Sequence, residues 1–296
     1  QVHKILSETE IDGFYFDLAS PRRNFDPAKG YAYTTTDGVQ EGTMEYFAAR
    51  DLYKRLYWAF EQTRGPKRKP YILGHGSATH CPLTSFWDIN FHGEGIKPRS
   101  RYELTKLFLQ DRLEGNPIAG AAQVEVARSN DALAYRCMNG AQFGLPVMFL
   151  PQYSRTKELN VPEHSREHLL WTLLHNNLLW PAYIPPAPVY EFWRKVEIPF
   201  DFANPVFHPY WANDINAEPD CVRVSYWTKS DAEDVLIVVG NWSDEDCDAV
   251  IQLPAGLASM PCKDAETGGE IVPSDALQVR VPHHDFRAFR LNHQAE

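Results

Sequence analysis

Two acidic residues stand where short apolar segments end. Asp17 closes residues 11–17 (IDGFYFD), and Glu94 lies between two glycines shortly after residues 86–91. A carboxylate at the end of a buried strand can face a ligand, and flanking glycines allow a tight turn. Cleavage of a glycosidic bond needs one carboxylate to meet the charge at the anomeric carbon and one acid to protonate the leaving group. We predict Asp17 as nucleophile or charge stabiliser and Glu94 as general acid/base.

Asp88 is a third acidic candidate, in reserve for either role. It lies beside Trp87 near the start of an apolar segment. Asp88 could therefore instead be a hydrogen-bonded acid of the core, or accept a hydrogen bond from a substrate hydroxyl. For Asp17 the alternative is to cap the following loop or to pair with Arg22 or Arg23. These structural roles remain open at the level of the sequence.

Side chains suited to sugar binding surround these acids. Sugar rings present apolar faces that dock on aromatic rings, while their hydroxyls need polar partners; core packing is the alternative role for each aromatic residue. An aromatic-lined pocket would raise the pKa of Glu94, which would then keep its proton near neutral pH. The predicted substrate-binding residues are Tyr15, His75, His80, Trp87, His92, Gln152, Tyr153 and Trp180.

Other chemistries have weaker signatures. His75, His80 and His92 could form a metal-dependent hydrolase site with Glu94, although their spacing matches no helical HExxH motif. The sequence has no GxSxG, GxxxxGK[ST] or strand-linked GxGxxG motif, which disfavours acyl, phosphoryl and hydride transfer. The five cysteines form no CxxC pair, which disfavours a disulfide framework or a zinc site. We expect no cofactor and no metal.

Composition excludes several classes of partner. The 296 residues include 29 Lys and Arg and 39 Asp and Glu, and 29 − 39 gives a net charge of −10. This charge disfavours nonspecific binding to nucleic acid, which needs clustered positive charge. No apolar run reaches the roughly 18 residues of a membrane span. The expected partner is an oligosaccharide or another glycoside.

Short apolar segments alternate with helical patterns through most of the chain. This alternation is typical of a parallel sheet covered by helices. We predict strands at residues 11–17, 71–73, 86–91 and 146–150, with a fifth at 182–184 or 206–208. We predict helices at residues 43–63, 101–113, 124–143, 165–179 and 190–195. After about residue 213, short strands between Asp, Gly and Pro turns predict a β-sandwich.

The fold class we predict is α/β, a partial TIM-type (β/α)8 barrel followed by an all-β sandwich. A complete barrel has eight strands and uses about 250 residues, whereas only some 213 precede the sandwich. We therefore assign residues 1–213 to the C-terminal part of a barrel and residues 214–296 to an auxiliary sandwich, and expect a missing N-terminal half of the barrel. A smaller, complete open α/β sheet is the alternative.

Several blocks of the chain resemble known sugar-cleaving barrels. IDGFYFD is similar to a fourth-strand motif that ends in a functional Asp. Six further blocks resemble the barrels related to glycoside hydrolase family 123. They are YFAARDLYKRLYWAF, YILGHGS, SFWDINFHGEGI, FGLPVMFLPQYS, LLWPAY and VFHPYW. The later blocks VLIVVGNWSDED, DAETGGEI and VPHHDFRAFRL are similar to the auxiliary sandwich of many glycosidases.

The resemblance implies a glycosidase barrel. In family 123 an adjacent Asp–Glu pair polarises the sugar acetamide and protonates the leaving group. Here Leu18 follows Asp17, so the Glu of that pair is missing at the matching position. This departure motivates a second hypothesis, a non-catalytic carbohydrate-binding protein with a degenerate glycosidase fold. The carbohydrate-binding hypothesis is favoured if the side chains of Asp17 and Glu94 point away from each other. It is also favoured if one of them forms a buried ion pair with an arginine.

Overall fold

The chain divides into two compact units, which we describe separately. Unit 1 comprises Gln1–His92 and Ala141–Met148, and unit 2 comprises Gly93–Gly140 and Phe149–Glu296. The computed structural model describes residues 2–19, 21, 23–66, 68–75, 81–92, 144–151, 161–229, 233–272 and 276–292. The helices predicted at 101–113 and 124–143 lie outside these ranges, and the domain boundary near residue 213 stays a prediction.

Unit 1 is built on parallel strands. Its elements in chain order are α1 (Val2–Glu8), β1 (Gly13–Phe16), β2 (Arg23–Asn24), a 3-10 turn (Pro27–Lys29), β3 (Ala32–Thr34), β4 (Gln40–Met44), α2 (Tyr46–Arg64), β5 (Tyr71–His75), α3 (Cys81–Thr84), β6 (Ile89–His92) and the start of β7 (Val147–Phe149). Strands β1, β5, β6 and β7 are hydrogen-bonded in that order, and β5 runs parallel to both β1 and β6. The four clear strands predicted from the sequence are confirmed.

The register of this sheet brings strand ends together. Phe16 pairs with Gly74, and Gly74 pairs with Asn90, so the carboxyl ends of β1, β5 and β6 lie at one edge. Helix α2 covers one face of the sheet, where Tyr53 and Leu56 pack in one core. The helix begins at Tyr46 rather than at the predicted residue 43, because residue 43 belongs to β4 and pairs with β2.

Gly74 has no room for a side chain. A Cβ at this position would lie 2.2 Å from Cδ2 of Trp87, whose ring is buried in the core under the sheet. We predict that Gly74→Ala lowers the free energy of unfolding by roughly 1–3 kcal/mol, because a buried ring cannot yield without strain. Urea unfolding measures this loss. Gly256→Ala is the control, since a Cβ there meets no atom within 4 Å, and equal losses would contradict the prediction.

Unit 2 carries a long helix and a set of mainly antiparallel strands. Its described elements are α4 (Pro162–Leu174), β8 (Leu178–Leu179), α5 (Ala187–Phe192), a π-helical turn (Trp193–Glu197), α6 (Ile198–Phe200), β9 (Val206–His208), β10 (Asn216–Glu218), β11 (Val222–Thr228), β12 (Asp234–Asn241), β13 (Cys247–Gln252), α7 (Ala255–Ala258), β14 (Cys262–Asp264), β15 (Glu270–Ile271), β16 (Leu277–Val281) and β17 (Asp285–Asn292). Six strands form one sheet in the order β15-β14-β17-β12-β11-β9, and three form another in the order β10-β13-β16.

The six-stranded sheet is the central layer of unit 2. On one face Trp227, Leu236 and Val238 pack in a core with residues of α4 and α5. On the other face Ile237 packs in a second core, together with Ile251 of the three-stranded sheet. Burial on both faces explains why β12 is a continuous apolar run rather than an alternating one. The sheet pair matches the predicted sandwich, and a helical layer is added to it.

Two sequence predictions in unit 2 need correction. The helix predicted to residue 179 ends at Leu174, because Asn176 adopts a left-handed φ of 55° and Leu178–Leu179 forms a strand. The predicted fifth parallel strand at 206–208 is a strand but pairs antiparallel with β11. The alternative, at 182–184, is not a strand; instead, the amide of Trp180, directly after β8, donates to the Phe149 carbonyl (2.8 Å).

Within the described residues the parallel strands do not close into a barrel. The parallel sheet with its covering helix and the antiparallel sheets of unit 2 are the parts of the predicted architecture that are present. None of the described helices is both long and apolar enough to cross a membrane.

Candidate active site

Asp17 is the first residue after β1 and lies at the carboxyl edge of the parallel sheet. Leu18 adopts a left-handed φ of 52°, which turns the chain and lets its amide donate to Asp17 Oδ1 (2.9 Å). The amide of Ala19 then donates to the carbonyl of His75 (2.7 Å), which ties this turn to the end of β5. The Asp17 side chain is 65% exposed. The turn therefore holds the carboxylate while leaving it accessible.

His75 joins Asp17 to Tyr15. It is the last residue of β5, and its Nδ1 lies 3.2 Å from Asp17 Oδ1 and 2.6 Å from the Tyr15 hydroxyl oxygen. A carboxylate oxygen only accepts hydrogen bonds, so the contact with Asp17 is favourable when Nδ1 carries a hydrogen. In that tautomer the hydroxyl oxygen of Tyr15 can accept a hydrogen bond from the same Nδ1–H group.

Phe91 completes this group of side chains. Its ring meets the His75 ring edge to face, with centroids 5.0 Å apart, and the Tyr15 ring in the same way at 5.6 Å. We call Tyr15, Asp17, His75 and Phe91 the Asp17 cluster. Phe91 was not predicted as a site residue. Phe91 lies opposite His75 in the pairing of β5 with β6. This register is the feature that identifies Phe91, and it cannot be read from the sequence alone.

The two oxygens of Asp17 have different surroundings. Oδ1 faces two nitrogens, from Leu18 and His75, whereas Oδ2 accepts no hydrogen bond from any residue in the described ranges. The predicted alternative of an arginine pair is not realised with Arg23, which instead donates to Glu41 at 3.3 Å. One oxygen is thus fixed and the other can approach a reacting atom. This arrangement suits attack on, or charge stabilisation of, an anomeric carbon.

Asp88 lies elsewhere along the sheet. Its Oδ2 accepts from the amide of Ile72 (2.8 Å), and its own amide donates to the Ile72 carbonyl (2.9 Å). Ile72 precedes His75 by three residues, which places Asp88 roughly 10 Å along the strand from the level of Asp17. The geometry favours the alternative of a satisfied structural acid over the predicted catalytic reserve.

The remaining predicted residues have separate outcomes. Trp87 is buried under Gly74 and packs in the core, the alternative weighed for every aromatic residue. Trp180 follows β8 in unit 2 and is 45% exposed. His92 ends β6, but its side chain is not described. Glu94, His80, Gln152 and Tyr153 lie outside the described residues, so their roles stay predictions. No group of three metal-binding side chains occurs in the described part of the chain.

The fold, a parallel sheet with its covering helix and C-terminal antiparallel sheets, is similar to that of a glycoside hydrolase of known structure. Solved structures that match the chain include α-galactosidase I from Mortierella vinacea, with a TM-score of 0.51 and 11% identity, covering 100% of this chain and 71% of that one. No family model and no curated protein matches the chain. At this level of identity the likeness shows the fold alone.

Two further matches have lower TM-scores. The GH27 β-L-arabinopyranosidase from Geobacillus stearothermophilus has a TM-score of 0.46 and 11% identity, covering 86% of this chain. A noncanonic maltogenic α-amylase from Thermotoga neapolitana has a TM-score of 0.48 and 14% identity, covering 98% of this chain. The chain spans 55% of the length of the first and 64% of the second.

Proposed function

We propose that the protein is a glycoside hydrolase and that Asp17 is its nucleophile or charge stabiliser. The observation that carries this proposal is the exposed Asp17 carboxylate at the carboxyl edge of the parallel sheet, with Oδ1 held by Leu18 and His75. Catalytic side chains in barrel enzymes stand at this edge of the strands. The substrate class is a glycoside, because an oriented carboxylate can stabilise an oxocarbenium-like transition state.

His75 and Tyr15 are positioning residues in this proposal. With a hydrogen on Nδ1, His75 restrains Asp17 to one rotamer, and the edge of Phe91 fixes the imidazole plane. The Tyr15 hydroxyl oxygen lies 2.6 Å from the same Nδ1 and helps to hold the imidazole in place. The cluster thereby holds the nucleophilic carboxylate of Asp17 in one orientation.

Glu94 is the proposed general acid/base. It follows β6 by two residues, and β6 ends at the same edge of the sheet as β1 and β5. A separation of about 5–5.5 Å between the carboxyl groups of Asp17 and Glu94 would give retention of configuration, and about 6.5–9.5 Å would give inversion. A relationship to the family 123 barrels and an auxiliary role for the C-terminal sandwich belong to the same proposal.

The proposal includes further barrel strands beyond those described. Tyr71 and Tyr15 are 61% and 51% exposed on one face of the sheet, whereas Ile72 on the opposite face is buried in the core with α2. In a closed barrel the face opposite the helices is interior, so these tyrosines would be covered. A barrel completed by additional strands would enclose the Asp17 cluster at its mouth.

Hydrolysis of a panel of aryl glycosides tests the function. We expect turnover of at least one glycoside, with Glu94→Gln lowering kcat/KM roughly 10²–10⁴-fold for a poor leaving group such as phenol. Dinitrophenolate needs little protonation, so its glycoside is expected to lose far less. Equal losses for both leaving groups would remove Glu94 as the acid. Saturable sugar binding without turnover of any glycoside would favour the carbohydrate-binding alternative.

A further inference from the structure

Two cysteines of unit 2 pack against the core between the two sheets of the sandwich. Cys221 immediately precedes β11, and Cys247 is the first residue of β13. Both side chains are partly buried against the core that also contains Ile237 and Ile251. Cys221 lies in the turn between β10 of the three-stranded sheet and β11 of the six-stranded sheet, and Cys247 lies in the three-stranded sheet. A bond between them would join the two layers.

The amide of Asn241 connects the surroundings of these cysteines. Asn241 pairs with Val222, the neighbour of Cys221, and its Nδ2 donates to the carbonyl of Val281 (3.2 Å). Val281 in turn pairs with Cys247. The amide of Trp242 also donates to the Cys221 carbonyl (3.3 Å). Asn241 therefore pairs with the neighbour of Cys221, and its side chain donates to the pairing partner of Cys247.

We propose that Cys221 and Cys247 are a redox-active pair that forms an intramolecular disulfide with a small disulfide oxidant such as oxidised glutathione. One thiolate attacks glutathione disulfide and expels one glutathione thiolate. The second cysteine thiolate attacks the protein sulfur of the mixed disulfide and expels the other glutathione. In total the two cysteines lose two protons and two electrons, and glutathione disulfide is reduced to two thiols.

The pairing of β10 with β13 also points to the nearness of the two thiols. Glu218 pairs with Val250, and Cys221 and Cys247 each lie three residues beyond that pair, in the direction in which the pairing continues. Burial, then the charge of Cys221 and a hydrogen bond with it, raises the pKa of the Cys247 thiol to about 11. Since the thiolate is the nucleophile, attack by Cys247 should be slow at neutral pH and faster at alkaline pH. Cys262 is a matched comparison, because burial, with the nearby Asp264 charge, raises its thiol pKa to about 11 as well.

The test incubates the whole protein with oxidised glutathione at pH 8.5, blocks free thiols, and digests before Asp and after Lys or Arg. This digest places Cys221, Cys247 and Cys262 in residues 220–223, 246–247 and 248–263. We expect a linked pair of 220–223 and 246–247, with glutathione or free thiol on 248–263. Separate glutathione adducts on Cys221 and Cys247, or a link to Cys262 at equal yield, would overturn the proposal.

Thermal unfolding supplies a second readout that needs no variant. The disulfide would close the loop from 221 to 247, and we expect the oxidised protein to melt roughly 5–10 °C higher than the reduced protein. Adding a dithiol to the oxidised sample should return the original Tm. An unchanged Tm in a sample whose peptides are fully linked would show that the pair does not join the layers.

Discussion

Asp17→Asn is expected to lower kcat/KM for the best aryl glycoside at least about 10³-fold, equivalent to about 4 kcal/mol of transition-state stabilisation. The amide keeps an oxygen that can accept from Leu18, so the turn after β1 should persist. It removes the negative charge that would meet the anomeric carbon. Steady-state kinetics measures the rate, and sugar binding measured by calorimetry should change only a few-fold.

Folding is the control for this variant. The Asp17 side chain is largely exposed, so the substitution should leave the urea midpoint of the protein unchanged. Azide offers a second control, because a small anion can replace a missing carboxylate in a variant that truncates Asp17 to Ala. A rate loss accompanied by an equal loss of stability would point to a structural role instead.

Arg166→Met is expected to lower the stability of unit 2 by about 3–5 kcal/mol, because it leaves two partly buried carboxylates without their cation. Arg166 lies in α4 and binds both oxygens of Glu266 (2.8 and 3.1 Å) and Oδ1 of Asp285 (2.7 Å). Its guanidinium also lies 4.5 Å from the centre of the Phe286 ring. These contacts tie the helical layer to the central sheet.

The charge balance around Arg166 explains the size of this effect. Burial alone would lower the pKa of the guanidinium, but the bonds and charges of Glu266 and Asp285 hold that pKa above its ordinary value. Burial raises the pKa of Asp285 even with Arg166 beside it. Without Arg166 the Asp285 carboxylate would take up a proton more readily when folded than when unfolded. The loss of stability should therefore shrink as the pH falls from 7.5 to 5.

Urea unfolding at both pH values measures the Arg166→Met prediction. Arg280→Met is the matched control, because Arg280 is exposed and pairs with Asp246 and Asp248 at 3.3 and 3.8 Å. Such exposed pairs contribute little, so we expect its midpoint to stay close to that of the parent. Equal losses for the two variants would contradict a special role for Arg166.

Local patterns were sufficient to predict much of unit 1. The apolar segments around Phe16 and Ile72 end in polar residues, and parallel strands end at a common edge. That rule, together with the expectation that aromatic and histidine side chains line a sugar site, led to the prediction that Asp17, His75 and Tyr15 belong to one site. The structure brings these three together. Their mutual contacts need only the pairing of two neighbouring strands.

Long-range register could not be predicted from local patterns. Asp88 has the residue type and strand proximity of a catalytic acid, but its pairing with the Ile72 backbone depends on how β6 aligns with β5. The apolar run of β12 predicted a strand without showing that helices cover its second face. The ion pair of Arg166 and Glu266 joins residues 100 positions apart, which no motif reveals.

The measurement that tests the account most directly compares kcat/KM of Asp17→Asn and Asp88→Asn on one activated aryl glycoside. Both variants replace a carboxylate by its neutral isostere in the same sheet, but only Asp17 stands exposed at the strand ends. We predict a loss of at least about 10³-fold for Asp17→Asn and less than about tenfold per folded molecule for Asp88→Asn. Full activity of Asp17→Asn, or an equal loss in both variants, would contradict the placement of catalysis at the Asp17 cluster.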